Sequence, residues 1–149
     1  MSVVHDTFVV ERIYDAPPER VFAAWSDPKV KAQWFAGPDE WDNSDHELDF
    51  RVGGREHLSG GLPDGPTYSY DATIQDIVPN ERIIHTYDMH LDGKRISVSV
   101  ATVEFLSAGE GTRLVLTEQG AYLDGLDDPR QREQGTNELL EALKNYLQG

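Results

Sequence analysis

The chain has 149 residues, a length suited to one domain over 1–149 and sufficient to bury a core without staples. Its 27 acidic against 13 basic side chains leave a net charge of −14, so a nucleic acid would be repelled and an anionic membrane surface is disfavoured. With no cysteine, disulfides and thiolate metal sites are excluded, which fits a reducing, cytoplasmic compartment.

The N-terminal stretch Met1-Ser2-Val3-Val4-His5-Asp6 has neither a basic region nor an apolar run, so no secretion signal is expected. Nowhere does an apolar run approach the roughly 18 residues of a membrane span. Residues 7–14 are rich in β-branched and aromatic types and predict a strand. Asp15-Ala16-Pro17-Pro18 breaks it, with Asp15 as the expected helix cap and proline suited to the first turn. Val21, Phe22 and Trp25 then follow at helical spacing. Asp27-Pro28 ends this helix and starts a second, whose inner stripe is Val30 and Trp34.

From Gly37-Pro38 to about residue 119 the pattern is that of strands. His46, Leu48, Phe50 and Val52 alternate with Asp45, Glu47, Asp49 and Arg51. Gly53-Gly54 turns the chain into a short strand over 55–59, and 60–66 is a loop. Tyr68, Tyr70, Ala72 and Ile74 share one face of the next strand. After the turn at Pro79-Asn80-Glu81, Ile83, His85, Tyr87 and Met89 share a face, and Asp92-Gly93 predicts a hairpin. Ile96, Val98 and Val100 are the next inward set; a slip to Val103 and Phe105 places a bulge near Ala101-Thr102. Gly109-Glu110-Gly111 leads into Leu114, Leu116 and Glu118. Pro129 opens the last element, a helix of about 19 residues and roughly 28 Å, with Leu139, Leu140, Leu143 and Leu147 on one face.

The order is strand, two short helices, six strands and one long helix. Consecutive strands with short connections predict an antiparallel meander, apolar on one face, with the long helix as its cover. The fold class is therefore α+β.

Several stretches resemble a known family. Asp15-Ala16-Pro17-Pro18-Glu19-Arg20-Val21-Phe22-Ala23-Ala24-Trp25-Ser26-Asp27-Pro28 with Gln33-Trp34-Phe35 is similar to the opening signature of activators of heat-shock protein 90 ATPase homologues. These belong to the START-like, or SRPBCC, superfamily. Phe50-Arg51-Val52-Gly53-Gly54, residues 77–83 (IVPNERI) and residues 111–118 (GTRLVLTE) match in the same order, so the resemblance covers about 6–148. It implies a single START-like domain of helix-grip fold, with a cavity between the concave sheet and the C-terminal helix. In the superfamily that cavity commonly takes lipids, sterols or polyketides, and some members are cyclases or other enzymes. The co-chaperones of the family carry a separate N-terminal chaperone-binding domain with no counterpart in this sequence, so a chaperone interaction is doubtful. Residues 133–138 (EQGTNE) also depart from the many relatives that carry a tryptophan after the glycine, which implies a reshaped pocket.

Read by alternation, the inward face carries polar tips among apolar bodies: His46, Tyr68, Tyr70, His85, Tyr87 and Glu118. Such groups suit the orientation of a mostly apolar ligand. The expected cavity lining is Trp34, His46, Leu48, Phe50, Tyr68, Tyr70, His85, Tyr87, Met89, Val98, Leu116, Glu118, Leu139 and Leu143. Trp41, in an acidic loop, is a candidate for the pocket mouth or an interface. His46, His57, His85 and Glu118 lie on different strands without metal-ligand spacing, so no metal and no cofactor are expected. With no nucleophile motif, no catalytic residue is assigned.

The leading reading is a binding protein for a small hydrophobic or amphipathic molecule. An alternative is a cyclase- or hydrolase-type enzyme that uses His85, His46 or Glu118 as acid–base groups. A third is a protein-interaction module, whether a co-chaperone-like regulator or a homodimer through an outer apolar patch with Ile84 and Val115.

Overall fold

The computed structural model describes residues 2–42 and 45–149; Met1, which opens the N-terminal stretch, lies outside them. Strand β1 (Val3–Tyr14) is followed by α1 (Pro18–Ser26) and α2 (Pro28–Trp34). Then come β2 (Asp45–Leu48), β3 (Arg55–Gly60), β4 (Tyr68–Val78), β5 (Arg82–Leu91), β6 (Lys94–Ala108) and β7 (Gly111–Leu123). Helix α3 (Pro129–Gln148) closes the chain. Among the described residues the strands form one antiparallel sheet in the order β1-β7-β6-β5-β4-β3-β2. The meander is as expected, with β1 returning beside β7. The architecture is the α+β helix grip.

Local chemistry explains most boundaries. Asp27 caps α2 by accepting from the Lys29 amide at 3.0 Å, and Asp128 caps α3 by accepting from the Arg130 amide at 2.9 Å. Asp15 does not cap α1. Pro17 takes the N-cap position and Pro18 the first turn, so this helix starts with no side-chain cap. The β5–β6 hairpin turns at Asp92-Gly93, both in the left-handed region with φ of 50° and 82°. That twist matches the flanking strands, and glycine adopts it without cost.

Two strand readings need correction. Strand β2 ends at Leu48, not at 52, because the Asp49 amide bonds back to the Arg55 carbonyl and the chain turns at 51–54. Phe50 still reaches the core, but from this turn, where its ring meets Phe22 edge-on at 5.8 Å. Val52 is exposed. The slip in β6 is real but lies earlier than predicted. Met89 pairs with Ser97 and His90 with Arg95, so Ile96 is the extra residue, while the β6–β7 register runs unbroken from Ser97 to Ala108. Past the bulge the inward positions are odd-numbered: Ser97, Ser99, Ala101, Val103 and Phe105 are buried. Val98 and Val100 therefore face outward and are exposed.

The expected outer patch also differs from the reading. Val115 is buried and Ile84 half-buried, whereas Val9 and Ile13 of β1 are exposed. No helix of the described residues is long and apolar enough to cross a membrane.

The core lies between the concave sheet face and α3, which buries Leu140, Leu143 and Leu147. Helices α1 and α2 fill one end with rings packed edge to face: Phe22 on Phe105 at 5.4 Å, Trp25 on Trp34 at 4.9 Å. Polar contacts fix where α3 sits. The Tyr14 hydroxyl donates to the Leu140 carbonyl at 2.9 Å, Arg12 donates to Asn137 at 2.6 Å, and Arg20 donates to the Leu147 carbonyl at 2.9 Å.

Tyr14→Phe removes the buried member of this set. A neutral hydrogen bond contributes about 1 kcal/mol, and the Leu140 carbonyl keeps its helical position. Urea denaturation should show a loss of about 1 kcal/mol; a loss below about 0.3 kcal/mol would mean that packing alone positions α3.

Candidate functional site

One helix does not fill the concavity of seven strands. What remains is a cavity of about 610 Å³ between α3, the sheet and the segment that follows α2. That volume falls in the range of small-molecule sites. Nine of the fourteen expected positions line it: Trp34, Tyr68, Tyr70, His85, Tyr87, Met89, Leu116, Glu118 and Leu139. The other five do not. Val98 is turned outward by the bulge at Ile96, and Phe50 packs on Phe22. Leu143 is fully buried in the core, Leu48 is half-buried in an edge strand, and His46 points into a salt-bridged cluster behind the lining.

That cluster was not foreseen. Lys31 of α2 donates to Glu56 of β3 at 2.7 Å, and the other Glu56 oxygen lies 2.8 Å from His46 Nε2. Lys31 and Glu56 are both buried. Lys31 also sits over the rings of Phe35 at 4.3 Å and Trp25 at 5.3 Å. Burial by itself would raise the Glu56 pKa. The Lys31 charge and the bonds from His46 and Lys31 outweigh it and hold the carboxyl at about 2. The sequence carried a faint signal: Lys31 is three residues before Trp34 on the helix, and Glu56 alternates with Leu58 on the inward side of β3.

A second polar cluster forms the opposite wall. Arg132 reaches from α3 to the sheet, donating to the Tyr87 hydroxyl and to Ser97 Oγ, each at 2.9 Å, and to Asp127. The Tyr87 hydroxyl donates in turn to Glu118 at 2.8 Å, and Arg132 Nη1 lies 3.7 Å from the same carboxyl. Burial raises the pKa of Glu118, with the Arg132 charge and the Tyr87 bond opposing. Arg132, Thr136, Leu139 and Leu143 are spaced along one helix face, so Arg132 was recoverable from the stripe that identified the leucines.

His85 stands between the clusters. It is nine-tenths buried and lines the cavity. Among the described residues nothing hydrogen-bonds to its ring, which is flanked by the rings of Tyr87 at 5.9 Å and Tyr70 at 6.4 Å. Burial, reinforced by the Lys31 charge and partly opposed by Glu56, lowers its pKa to about 4. At neutral pH the ring is therefore a neutral imidazole with one donor and one acceptor nitrogen. The acid–base alternative could use His85 with Glu118, but the two are not bonded: Glu118 is engaged by Tyr87 and Arg132. At the mouth Trp41 lies flat on Tyr68, ring centroids 5.1 Å apart. No group of three or more metal-ligating side chains comes together among the described residues.

The model of the Activator of Hsp90 ATPase homolog 1-like protein family matches residues 15–148. An uncharacterised protein from Rhizobium leguminosarum is 48% identical, with a TM-score of 0.94 over 99% of this chain and 97% of its own. Protein Mll3558 from Rhizobium loti is 44% identical, with a TM-score of 0.90 over 98% and 99%. The AHSA1-like protein from Aeromonas hydrophila, 24% identical with a TM-score of 0.71 over 96% and 92%, shares the fold. No curated protein matches the sequence.

Lys31→Met should cost about 3–5 kcal/mol in urea denaturation, since it leaves the Glu56 charge buried without its partner. It should also invert a pH dependence. In the native chain the Glu56 pKa of about 2 lies below the ordinary 4.5, so its stabilisation is present above 4.5 and is lost as pH falls toward 2. Without Lys31, burial dominates and the folded pKa rises above 4.5, so the variant should recover stability as pH falls below neutrality. A variant whose deficit is the same at pH 7 and pH 5 would show that Lys31 acts through packing alone.

Proposed function

The chain belongs to the Activator of Hsp90 ATPase homolog 1-like family, and from that premise we propose that it binds a small, mostly apolar molecule in the cavity under α3. The observation that carries this reading is His85. A buried polar ring normally finds a hydrogen-bond partner in its own protein. Here the neutral imidazole faces a cavity lined by Trp34, Tyr68, Met89, Leu116 and Leu139, with no protein partner among the described residues. An apolar ligand with one polar group satisfies both the ring and the lining. Tyr87, Glu118, Asp127 and Arg132 are bonded to one another and shape the pocket. The Tyr70 hydroxyl and Trp25 Nε1 of the lining are, like His85, buried without a hydrogen-bond partner among the described residues.

The acid–base alternative needs a cavity-facing histidine within hydrogen-bond reach of a second titratable group. Those properties fall on different residues. His85 lines the cavity without such a bond, and His46 has the bond to Glu56 but does not line the cavity. The division favours binding over proton transfer.

Thr136 is the place to test the pocket. It lies one turn after Arg132, is buried, and contributes to the lining beside Gly135. A Thr136→Trp ring should occupy the cavity and leave the fold intact. Native protein should gain several degrees in Tm from at least one member of a panel of sterols, flavonoids, and long-chain alcohols, amines and acids, since a ligand at about 100 times its Kd adds about 2.7 kcal/mol. The variant should show an unchanged far-UV CD spectrum and no shift. Equal shifts in both proteins would place binding elsewhere, and no shift in native protein for any class would refute the reading.

A further inference from the structure

The charge on the cavity wall narrows the chemistry of its occupant. Among the described residues the lining contains four carboxylates, Asp39, Glu118, Asp127 and Glu138, and a single cation, Arg132. That cation is spent. Its guanidinium already donates to Tyr87, Ser97 and Asp127, and its Nη1 faces Glu118. Lys31, the other buried cation nearby, is bonded to Glu56 behind the lining. An anionic headgroup would enter a low-dielectric cavity with unbalanced negative charge and find no free cation to pair with. The net charge of −14 opposes it on approach as well.

The rings point the same way. Seven lining residues are aromatic: Trp25, Trp34, Phe35, Trp41, Tyr68, Tyr70 and Tyr87. An aromatic face carries partial negative charge and attracts cations within about 6 Å of its centroid. The protein already uses its rings in this way, for Lys31 lies over Phe35 and Trp25, and Arg132 lies over Tyr87 and Tyr122. Trp41 and Tyr68 stack within the same lining, to which the exposed Asp39 also contributes. The acceptor nitrogen of the unpartnered His85 ring can take a hydrogen bond from an N–H of the guest.

We infer that the cavity selects a cationic amphipathic ligand, a protonated or quaternary amine on an apolar or aromatic body, and rejects a carboxylate of the same shape. The inference rests on the binding reading above and adds the sign of the ligand's charge.

The test uses two matched trios on the full chain at pH 7 and low salt. One comprises 1-naphthylmethylamine, 1-naphthalenemethanol and 1-naphthoate; the other comprises decylamine, decanol and decanoate. Isothermal titration calorimetry should rank ammonium over alcohol over carboxylate in at least one trio, with the ammonium at least tenfold tighter than the carboxylate. A carboxylate that binds as tightly as its ammonium, in a trio that binds, overturns the charge inference and leaves the binding reading standing. No binding by any of the six, with a sterol or flavonoid of the panel above still binding, overturns the charge inference alone; no binding by either set overturns both. In the exposed double variant Asp39→Asn/Glu138→Gln, the ammonium-to-carboxylate ratio should fall at least threefold. An unchanged ratio would overturn the part assigned to the rim carboxylates and leave the selection to the aromatic lining.

Discussion

The structure follows from a mismatch of width. Seven strands at about 4.8 Å spacing span close to 29 Å, whereas a helix with its side chains is about 10–12 Å across. One helix can seal such a sheet but cannot fill its concavity. The sequence answers with bulk where it can: Phe22, Trp25, Trp34 and Phe35 crowd one end from two short helices and the residue after them. The volume left unfilled is the cavity. Its existence is a consequence of architecture, while its polarity is a matter of which side chains border it.

Those borders follow one rule. Each buried charge is paired before it is exposed to the cavity: Lys31 with Glu56, Arg132 with Asp127 and Glu118. Each of the two cations is also seated on aromatic faces. Paired charges tie elements together, α2 to β3 in one case and α3 to the sheet in the other. The His85 ring stays unpaired among the described residues, as do the Tyr70 hydroxyl and Trp25 Nε1, and its low pKa keeps it from becoming a third buried cation.

Much of this was legible in the sequence. Alternation along β4 and β5 placed Tyr70, His85 and Tyr87 correctly, and leucine spacing identified the inner face of α3. What escaped had physical reasons. A bulge shows in sequence only as a phase slip, and the slip between Ile96 and Val103 could be assigned to several positions; placing it too late turned Val98 inward. Lys31 and Glu56 escaped because a charge on an amphipathic element is ordinarily solvated, and only the fold reveals that two of them neutralise one another. Asp15 was a good cap by type, but the two prolines that follow it moved the helix start past it.

The bulges at Gln75 in β4 and Ile96 in β6 have a wider consequence. A bulge absorbs one residue of mismatch, so the chain on either side of it can keep its own register. The hairpin tip around Asp92-Gly93 lies beyond Ile96, and the turn at Pro79-Asn80 lies beyond Gln75. Between them, β5 presents His85 and Tyr87 from a stretch buffered at both ends. Changes in length at either tip can be taken up before they rotate the cavity wall. The sheet thereby separates the parts of the chain that are free to vary from the part that determines what the cavity can hold.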